Sequence, residues 1–390
     1  MKLRKDKWLE LEFPEAIDFQ EGPGILAKDF RSNGIPLIRL AGMDDGISLL
    51  NGCNYLDEEL VARKYEHFRI KNGDIILSTS ATLGKTSYVD EEAVGAIVYT
   101  GLVRMRPKNA NVYAPFIKYL LQSPRFIRQI EYMGVGSVMK HFGPTHLKKI
   151  SITLPTFDEQ KTISELFPAL ETAMEQVDGQ EKCLKTLKKS LVNGLMRIEP
   201  SFGNILNSKN CKATNFGEIA ECDKKHSEPE KEVTRFVGLE YLEADNFQLQ
   251  GWGEIANGTT FSKRFVKGDV LFGKRRAYLK KVAVADFDGI CSGDILVIRA
   301  KPKKMLQGLL PYYISSEAFI QHAVSTSAGS LSPRTKWKDL AELEVSIPDL
   351  KTQSTILEVL QQLDNTINLL KQQKIILKNL KQKLLNEILG

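Results

Sequence analysis

The sequence predicts an α+β fold: two duplicated, mixed α/β globular domains separated by a long antiparallel two-helix coiled coil, a dumbbell with a pseudo-twofold axis. Three observations predict it. The second half of the 390-residue chain repeats much of the first half in register. Each repeat ends in a run with apolar residues at every seventh position. Upstream of each run, short β-patterned segments alternate with turns.

The repeat is carried by residues at a constant offset of 193. Tyr119 meets Tyr312, Ser123 meets Ser316, Phe126-Ile127 meets Phe319-Ile320, and Gly136-Ser137 meets Gly329-Ser330. Pro155, Gln160, Thr162-Ile163 and Leu191 then meet Pro348, Gln353, Thr355-Ile356 and Leu384. Upstream, Gly73-Asp74 answers Gly268-Asp269 at an offset of 195. A period this long means two copies of a whole domain rather than a solenoid. The chain divides accordingly into a globular domain over 1–154, a helix over 155–199, a second globular domain over 200–347 and a second helix over 348–390.

Within the first copy, 35–40, 74–78 and 96–106 read as strands bounded by Gly, Asn and Asp turns. A helix over 113–132, broken near Pro124, leads to the alternating strand 150–154, which stops at Pro155. The second copy repeats the pattern with strands over 234–241, 269–272, 295–299 and 343–347 and a helix over 311–323. After each proline the period changes to seven. Ile163, Leu170, Val177, Leu184 and Leu191 form one series, and Ile356, Leu363, Leu370, Leu377 and Leu384 the other. Leu166, Phe167, Met174, Leu187 and Leu195, and Val359, Leu360, Ile367, Leu380 and Ile388, support them. A helix lying on its own domain drifts toward a 3.6 repeat, whereas a sustained heptad marks a coiled coil. The order domain, helix, domain, helix makes the helices antiparallel partners. About 33 residues at 1.5 Å rise would hold the domains on the order of 50 Å apart.

Composition narrows the function classes. A net charge of +6 fits a polyanionic partner. No apolar run approaches the ~20 residues of a membrane helix, and the start lacks a signal peptide, so a cytoplasmic protein is expected. The five cysteines form no C-x-x-C pair, which argues against a disulfide framework or a zinc site. Catalytic signatures are equally scarce. Thr79-Ser80-Ala81-Thr82-Leu83-Gly84-Lys85-Thr86 ends like a phosphate-binding loop, but the first glycine is missing and a strand and turn should follow rather than a helix. Histidines and carboxylates show no ligand spacing, and no metal or catalytic residue is assigned.

Recognition has better support. In the second copy, Lys274, Arg275, Arg276, Tyr278 and Lys280 follow the strand after Gly268-Asp269. In the first, the same place holds Ser78, Ser80, Thr82 and Lys85. A second pair of loops after the shared Gly-Ser offers Lys140 and His141, and Arg334 and Lys336. Arginine and lysine suit guanine edges and phosphates, and hydroxyls accept either kind of contact. A lone basic cluster is usually a solvated face, but here two sit at equivalent places in duplicated domains. The helix lysines, Lys188, Lys374 and Lys381 among them, read as flanks of the coiled coil.

Leu154-Pro155-Thr156-Phe157-Asp158-Glu159-Gln160-Lys161-Thr162-Ile163 and Ile347-Pro348-Asp349-Leu350-Lys351-Thr352-Gln353-Ser354-Thr355-Ile356 carry the entry into each helix. With Phe216-Gly217-Glu218-Ile219-Ala220 and the two Gly-Asp strands, they make the whole chain resemble the specificity subunit of type I restriction–modification systems. One departure is at 8–18, which lacks the Gly-Glu-Ile form of the second copy. The resemblance implies a non-catalytic DNA reader whose two target-recognition domains each bind half of a split site in double-stranded DNA, with the helices setting the gap. It further implies two methyltransferase (modification) subunits docking on the ten heptad residues, and restriction or translocase subunits that can join them. S-adenosylmethionine, and ATP with Mg for restriction, would sit on those partners and no cofactor on this chain. Two other readings fit the residues: a duplicated DNA-binding adaptor acting alone, and a coiled-coil scaffold whose domains bind proteins.

Overall fold

The computed structural model describes residues 3–43, 48–79, 84–133, 142–196, 206, 210–223 and 232–390. They form two compact units, Met1–Gly179 with Lys371–Gly390, and Gln180–Leu370. Each unit therefore contains part of both long helices.

Each unit is built on a four-stranded antiparallel sheet. In the first unit its order is Ile17–Glu21, Leu102–Pro107, Ile75–Ser78, Thr86–Tyr88, and in the second Ala220–Cys222, Ile295–Ala300, Val270–Gly273, Val282–Val284. Successive residues of a strand face opposite sides, and both sides are apolar here. Ile75 and Leu77 enter a core with the helical residues Phe116, Phe126 and Ile163, while Ile76 faces Ile38 and Val98 of a second, smaller sheet. Likewise Val270 and Phe272 meet Phe319 and Ile356, and Leu271 meets Val237 and Cys291. Full burial of each such side chain stabilises by about 1.5–3 kcal/mol.

The smaller sheets share one parallel pair, Ile35–Ile38 with Ile97–Val98 and Arg235–Val237 with Gly289–Cys291. They differ around it. Phe30–Arg31 adds beyond Asn54–Leu56 in the first unit, whereas Lys263–Phe265 pairs with the far strand in the second. Here the constant offset of the sequence repeat is lost.

Residues 8–18, where the sequence repeat fails, have a clear structural match. Phe13–Ala16 and Phe216–Ile219 are one-turn helices, each anchored by the same bond: Phe13 N donates to Ile150 O, and Phe216 N to Leu343 O, both at 2.8 Å. The offset at this edge is 203, so an ungapped comparison at 193 misses it.

The Gly-Asp pairs also acquire a cause. Gly73 and Gly268 have φ of 85° and 93°, the left-handed region where a side chain is strained. The aspartates that follow are buried and accept a turn amide, Lys71 N at 2.8 Å and Val266 N at 2.9 Å. Each also accepts two guanidinium bonds, Asp74 from Arg106 and Asp269 from Arg299.

The entry into each long helix is fixed by a fully buried glutamine. Gln160 Oε1 accepts Tyr113 N at 2.8 Å, and its Nε2 donates to Asn111 O and Pro155 O, each at 2.8 Å. Gln353 repeats this with Leu306 N at 2.8 Å, Lys304 O at 3.0 Å and Pro348 O at 2.9 Å. The first helix breaks into Phe157–Leu166 and Pro168–Gly194, because Pro168 lacks an amide proton and crowds the preceding turn. Its counterpart, Gln361, imposes no break, and Leu350–Leu389 is continuous.

The helices pair antiparallel inside each unit. In the first, Lys381 donates to Glu171, and Lys374 pairs with Asp178; in the second, Lys188 pairs with Asp364. All ten heptad positions are buried or half-buried. The supporting positions need correction, since Leu166, Leu187, Val359 and Leu380 are exposed. The inner seam alternates steps of four and three: Ile163, Phe167, Leu170, Met174, Val177. Continued, that spacing places Lys188, Lys374 and Lys381 on the seam, where they reach carboxylates of the opposite helix rather than flanking it.

Glu171 and Asp364 collect matching partners. The Lys118 and Lys381 ammonium groups lie 2.8 and 2.7 Å from the Glu171 carboxylate, and the Tyr119 hydroxyl donates to it at 3.4 Å. The Tyr312 hydroxyl donates to Asp364 at 2.6 Å, beside Lys188. Burial pushes the Glu171 carboxyl up, but bonds from Lys118 and Lys381 and their charges outweigh it, and the result lies below the ordinary value. Burial, then the neighbouring carboxylate, pushes both tyrosine hydroxyls up, so they stay protonated donors.

Two outcomes follow from these contacts. Gln353→Leu orphans two carbonyls and an amide and should cost on the order of 3 kcal/mol in denaturant titrations. Glu171→Gln should cost about 1–2 kcal/mol at pH 7. Folded Glu171 binds its proton less readily than unfolded Glu171. The deficit should therefore be full above the ordinary value of 4.5 and vanish as pH falls through the lower folded value. Melting curves of both proteins from pH 7 to pH 3 should converge at the acid end.

Candidate nucleic-acid interface

In the second unit, strand Val270–Gly273 runs into a loop that meets two others. Lys274 N donates to Asp294 O at 2.9 Å, and Thr335 N donates to Lys274 O at 3.1 Å. A tight hairpin over 328–334 is closed by reciprocal bonds of 3.0 Å between Ala328 and Arg334. Its flank is stitched to the first loop by Arg276 N donating to Pro333 O at 2.8 Å and Arg275 Nη2 to Ser332 Oγ at 3.1 Å. Arg276 and Lys280 bracket a 3-10 turn with φ of 53° and 52°, left-handed conformations in which non-glycine residues are uncommon.

Asp294 orients the cations of this junction. Its carboxylate accepts Arg334 Nε at 2.6 Å and Nη2 at 3.1 Å, and Arg275 Nη1 lies 3.7 Å away. Bonding to Arg334 holds its carboxyl below the ordinary range, against a smaller upward push from burial. Arg276 and Lys336 are exposed, as is half of Tyr278. Leu331, 89% exposed, tips the hairpin beside them. The junction thus gathers Arg334, Arg275 and Lys274 around one carboxylate, with Arg276 and Lys336 exposed on the same loops, a surface suited to phosphates and base edges. Lys280 is the exception among the expected residues. Its ammonium is bonded to Glu317 at 2.7 Å, so it braces the loop against helix Glu317–Ser325.

The first unit builds the same junction from different residues. Thr79 N donates to Gly101 O at 2.9 Å, and Phe142 N to Thr79 O at 3.3 Å, the counterparts of the bonds at Lys274. Ser78, expected at the surface, is fully buried: its hydroxyl accepts Lys85 N at 3.1 Å, and its backbone closes the loop on Lys85 and Gly84. It shapes the neck of the loop. Lys85 is half-buried at that neck. Ser80, Thr82, Lys140 and His141 lie outside the described residues. Thr86 begins the strand Thr86–Tyr88, so no helix N-terminus follows Gly84-Lys85-Thr86 and the phosphate-loop geometry is not built.

Two residues at these junctions escaped the sequence reading, Asp294 and Arg39. Arg39 lies at the end of strand Ile35–Ile38, exposed, with its guanidinium 5.3 Å from the Tyr99 ring centroid and 5.9 Å from that of Phe30. Its Nη1 donates to Asn54 Oδ1 at 2.8 Å. Such cation–π contact contributes about 0.5–1 kcal/mol at an exposed site. The only prior signal was an arginine directly after a strand. Among the described residues, no group of acidic, cysteine or histidine side chains could hold a metal ion, and no helix is long and apolar enough to cross a membrane.

Two units of one design, each with a junction of polar loops and a share of two long helices, define a duplicated, two-domain protein. The chain belongs to the family described as "Type I restriction modification DNA specificity domain", which matches residues 8–183 and 209–379. It is 24% identical over 198 residues to the type I restriction enzyme MjaVIII specificity subunit of Methanocaldococcus jannaschii, covering 49% of this chain and 46% of that protein. It is 25% identical over 283 residues to the EcoDI specificity subunit of Escherichia coli, covering 64% and 62%. The chain thus matches about half to three-fifths of the length of these two relatives. The fold is also that of the S subunit of a type I restriction–modification system from M. genitalium, at 12% identity, a TM-score of 0.60, and 100% and 98% coverage of the two chains.

Removing the Asp294 carboxylate releases Arg334 and Arg275 while leaving the strands intact. In Asp294→Ala, amide exchange at Ala328 and Arg334 should accelerate severalfold, with protection in Val270–Gly273 unchanged.

Proposed function

We propose that this chain is the DNA-reading subunit of a type I restriction–modification complex, without catalytic activity of its own. Each globular domain reads one half of a split target, and the paired helices set the gap between the halves. The observation that carries the reading is the duplicated junction. The same backbone bonds hold both, while the side chains differ: threonine and glycine at Thr79 and Gly101, lysine and aspartate at Lys274 and Asp294. One scaffold with two unlike faces suits two different half-sequences, and a rigid connection turns a fixed length into a fixed half-site separation. Two modification subunits dock along the helices, where Leu369, Ile375 and Ile376 are exposed while the heptad residues are taken up by the seam. Those subunits bind S-adenosylmethionine and flip the base to be methylated. Restriction subunits with ATP and Mg complete the assembly.

The test is to map methylated sites made by this chain co-expressed with its modification subunits, before and after inserting one heptad into both helices at Gln180 and Gln373. The insertion keeps the apolar seam and adds roughly 10 Å at 1.5 Å per residue. The wild-type map should show two half-sequences at a constant gap. The variant map should show the same halves with the gap wider by about two to three base pairs, at 3.4 Å per step. Methyl transfer by the pure chain alone, or an unchanged gap at full activity, would overturn the reading.

A further inference from the structure

We propose that Arg39 reads a guanine in the half-site of the first domain. This inference rests on the DNA-reading role above. Arg39 stands at the junction itself: Tyr99 N donates to Ile38 O at 3.0 Å, and two residues on, Gly101 O accepts Thr79 N at 2.9 Å. In the second unit the place of Gly101 is taken by Asp294, whose carboxylate orients Arg334 and Arg275. The first unit has a glycine there and orients a guanidinium by other means, on the Tyr99 and Phe30 rings and the Asn54 amide.

The two means differ in what they leave available. Arg334 commits both Nε and Nη2 to Asp294. Arg39 commits Nη1 to Asn54, and among the described residues no carboxylate pairs with it. The cation–π contacts hold the guanidinium near the two rings without consuming its N–H groups, so Nε and Nη2 remain as two donors side by side. Paired donors match the O6 and N7 acceptors of guanine in the major groove, a geometry a lysine ammonium does not reproduce.

The experiment measures binding by the complex with its modification subunits to duplexes carrying every single base-pair change in both half-sites. Wild type, Arg39→Ala and Arg39→Lys are compared, and thermal melting checks that each variant folds. Arg39→Ala should bind the wild-type site on the order of 10- to 100-fold more weakly. It should lose discrimination at one G·C position of one half, with the other half read normally. Arg39→Lys keeps the charge and should recover part of the affinity without the discrimination. Unaltered base preferences in both variants would overturn the proposal. So would a uniform loss on all sequences with a salt slope reduced by about one, which marks a phosphate contact. If the wild-type complex itself shows no sequence preference, the DNA-reading role fails, an outcome separate from a specific wild type with an indifferent Arg39.

Discussion

Everything in each unit is hung from one side-chain amide. Gln160 and Gln353 are buried without any contact with water, a position that penalises an amide unless its polar atoms find partners. Each takes its three partners from two segments, the proline at the end of the strand and the loop before the globular helix, and ties both to the long helix on which it sits. The angle at which the long helix leaves its domain follows from that triangulation. A shorter side chain could not span the three groups, and an apolar one would leave them unpaired. The demand for a glutamine at both helix entries is therefore geometric before it is functional.

Charge continues what the amide begins. In the first unit the carboxylate comes from the first helix, as Glu171, and the cross-helix lysine from the second, as Lys381. In the second unit the roles are exchanged, with Asp364 and Lys188. Each carboxylate also takes a tyrosine hydroxyl from its own globular part. Helix pairing and domain attachment thus share one carboxylate in each unit, with one oxygen turned to the opposite helix and the other to the globular part. Lysine at these seam positions interrupts a largely apolar interface, which fixes the relative register of the helices more strictly than leucine would.

Much of this could be read from the chain, for reasons that particular residues make clear. The repeat at 193, the strand-breaking prolines and the heptads are local patterns, and local patterns report local structure. The glutamines were visible as a spacing, but their bonds reach back 47 to 49 residues, which a spacing does not reveal. Ser78 was read as an exposed hydroxyl because it lies beside a polar loop, whereas the strand carries it one residue further into the interior. Asp294 and Arg334 lie 40 residues apart, and Arg39 meets Tyr99 only because their strands run parallel in a small sheet whose outer strands differ between the units. Exposed Leu187 and Leu380 show the limit of counting by sevens: the series was right, but its second row depends on which neighbour lies opposite.

The necks of the two junctions are held by main-chain atoms. Thr79 and Lys274 make the same bonds to their neighbours although their side chains have nothing in common. A peptide group is present whatever residue is substituted, so natural selection can rewrite these loops without first renegotiating how they are held. Such an arrangement separates inheritance of the scaffold from innovation at its tips. On the DNA-reading role proposed above, a few codons at those tips would change what is discriminated while the rest of the gene stays as it was.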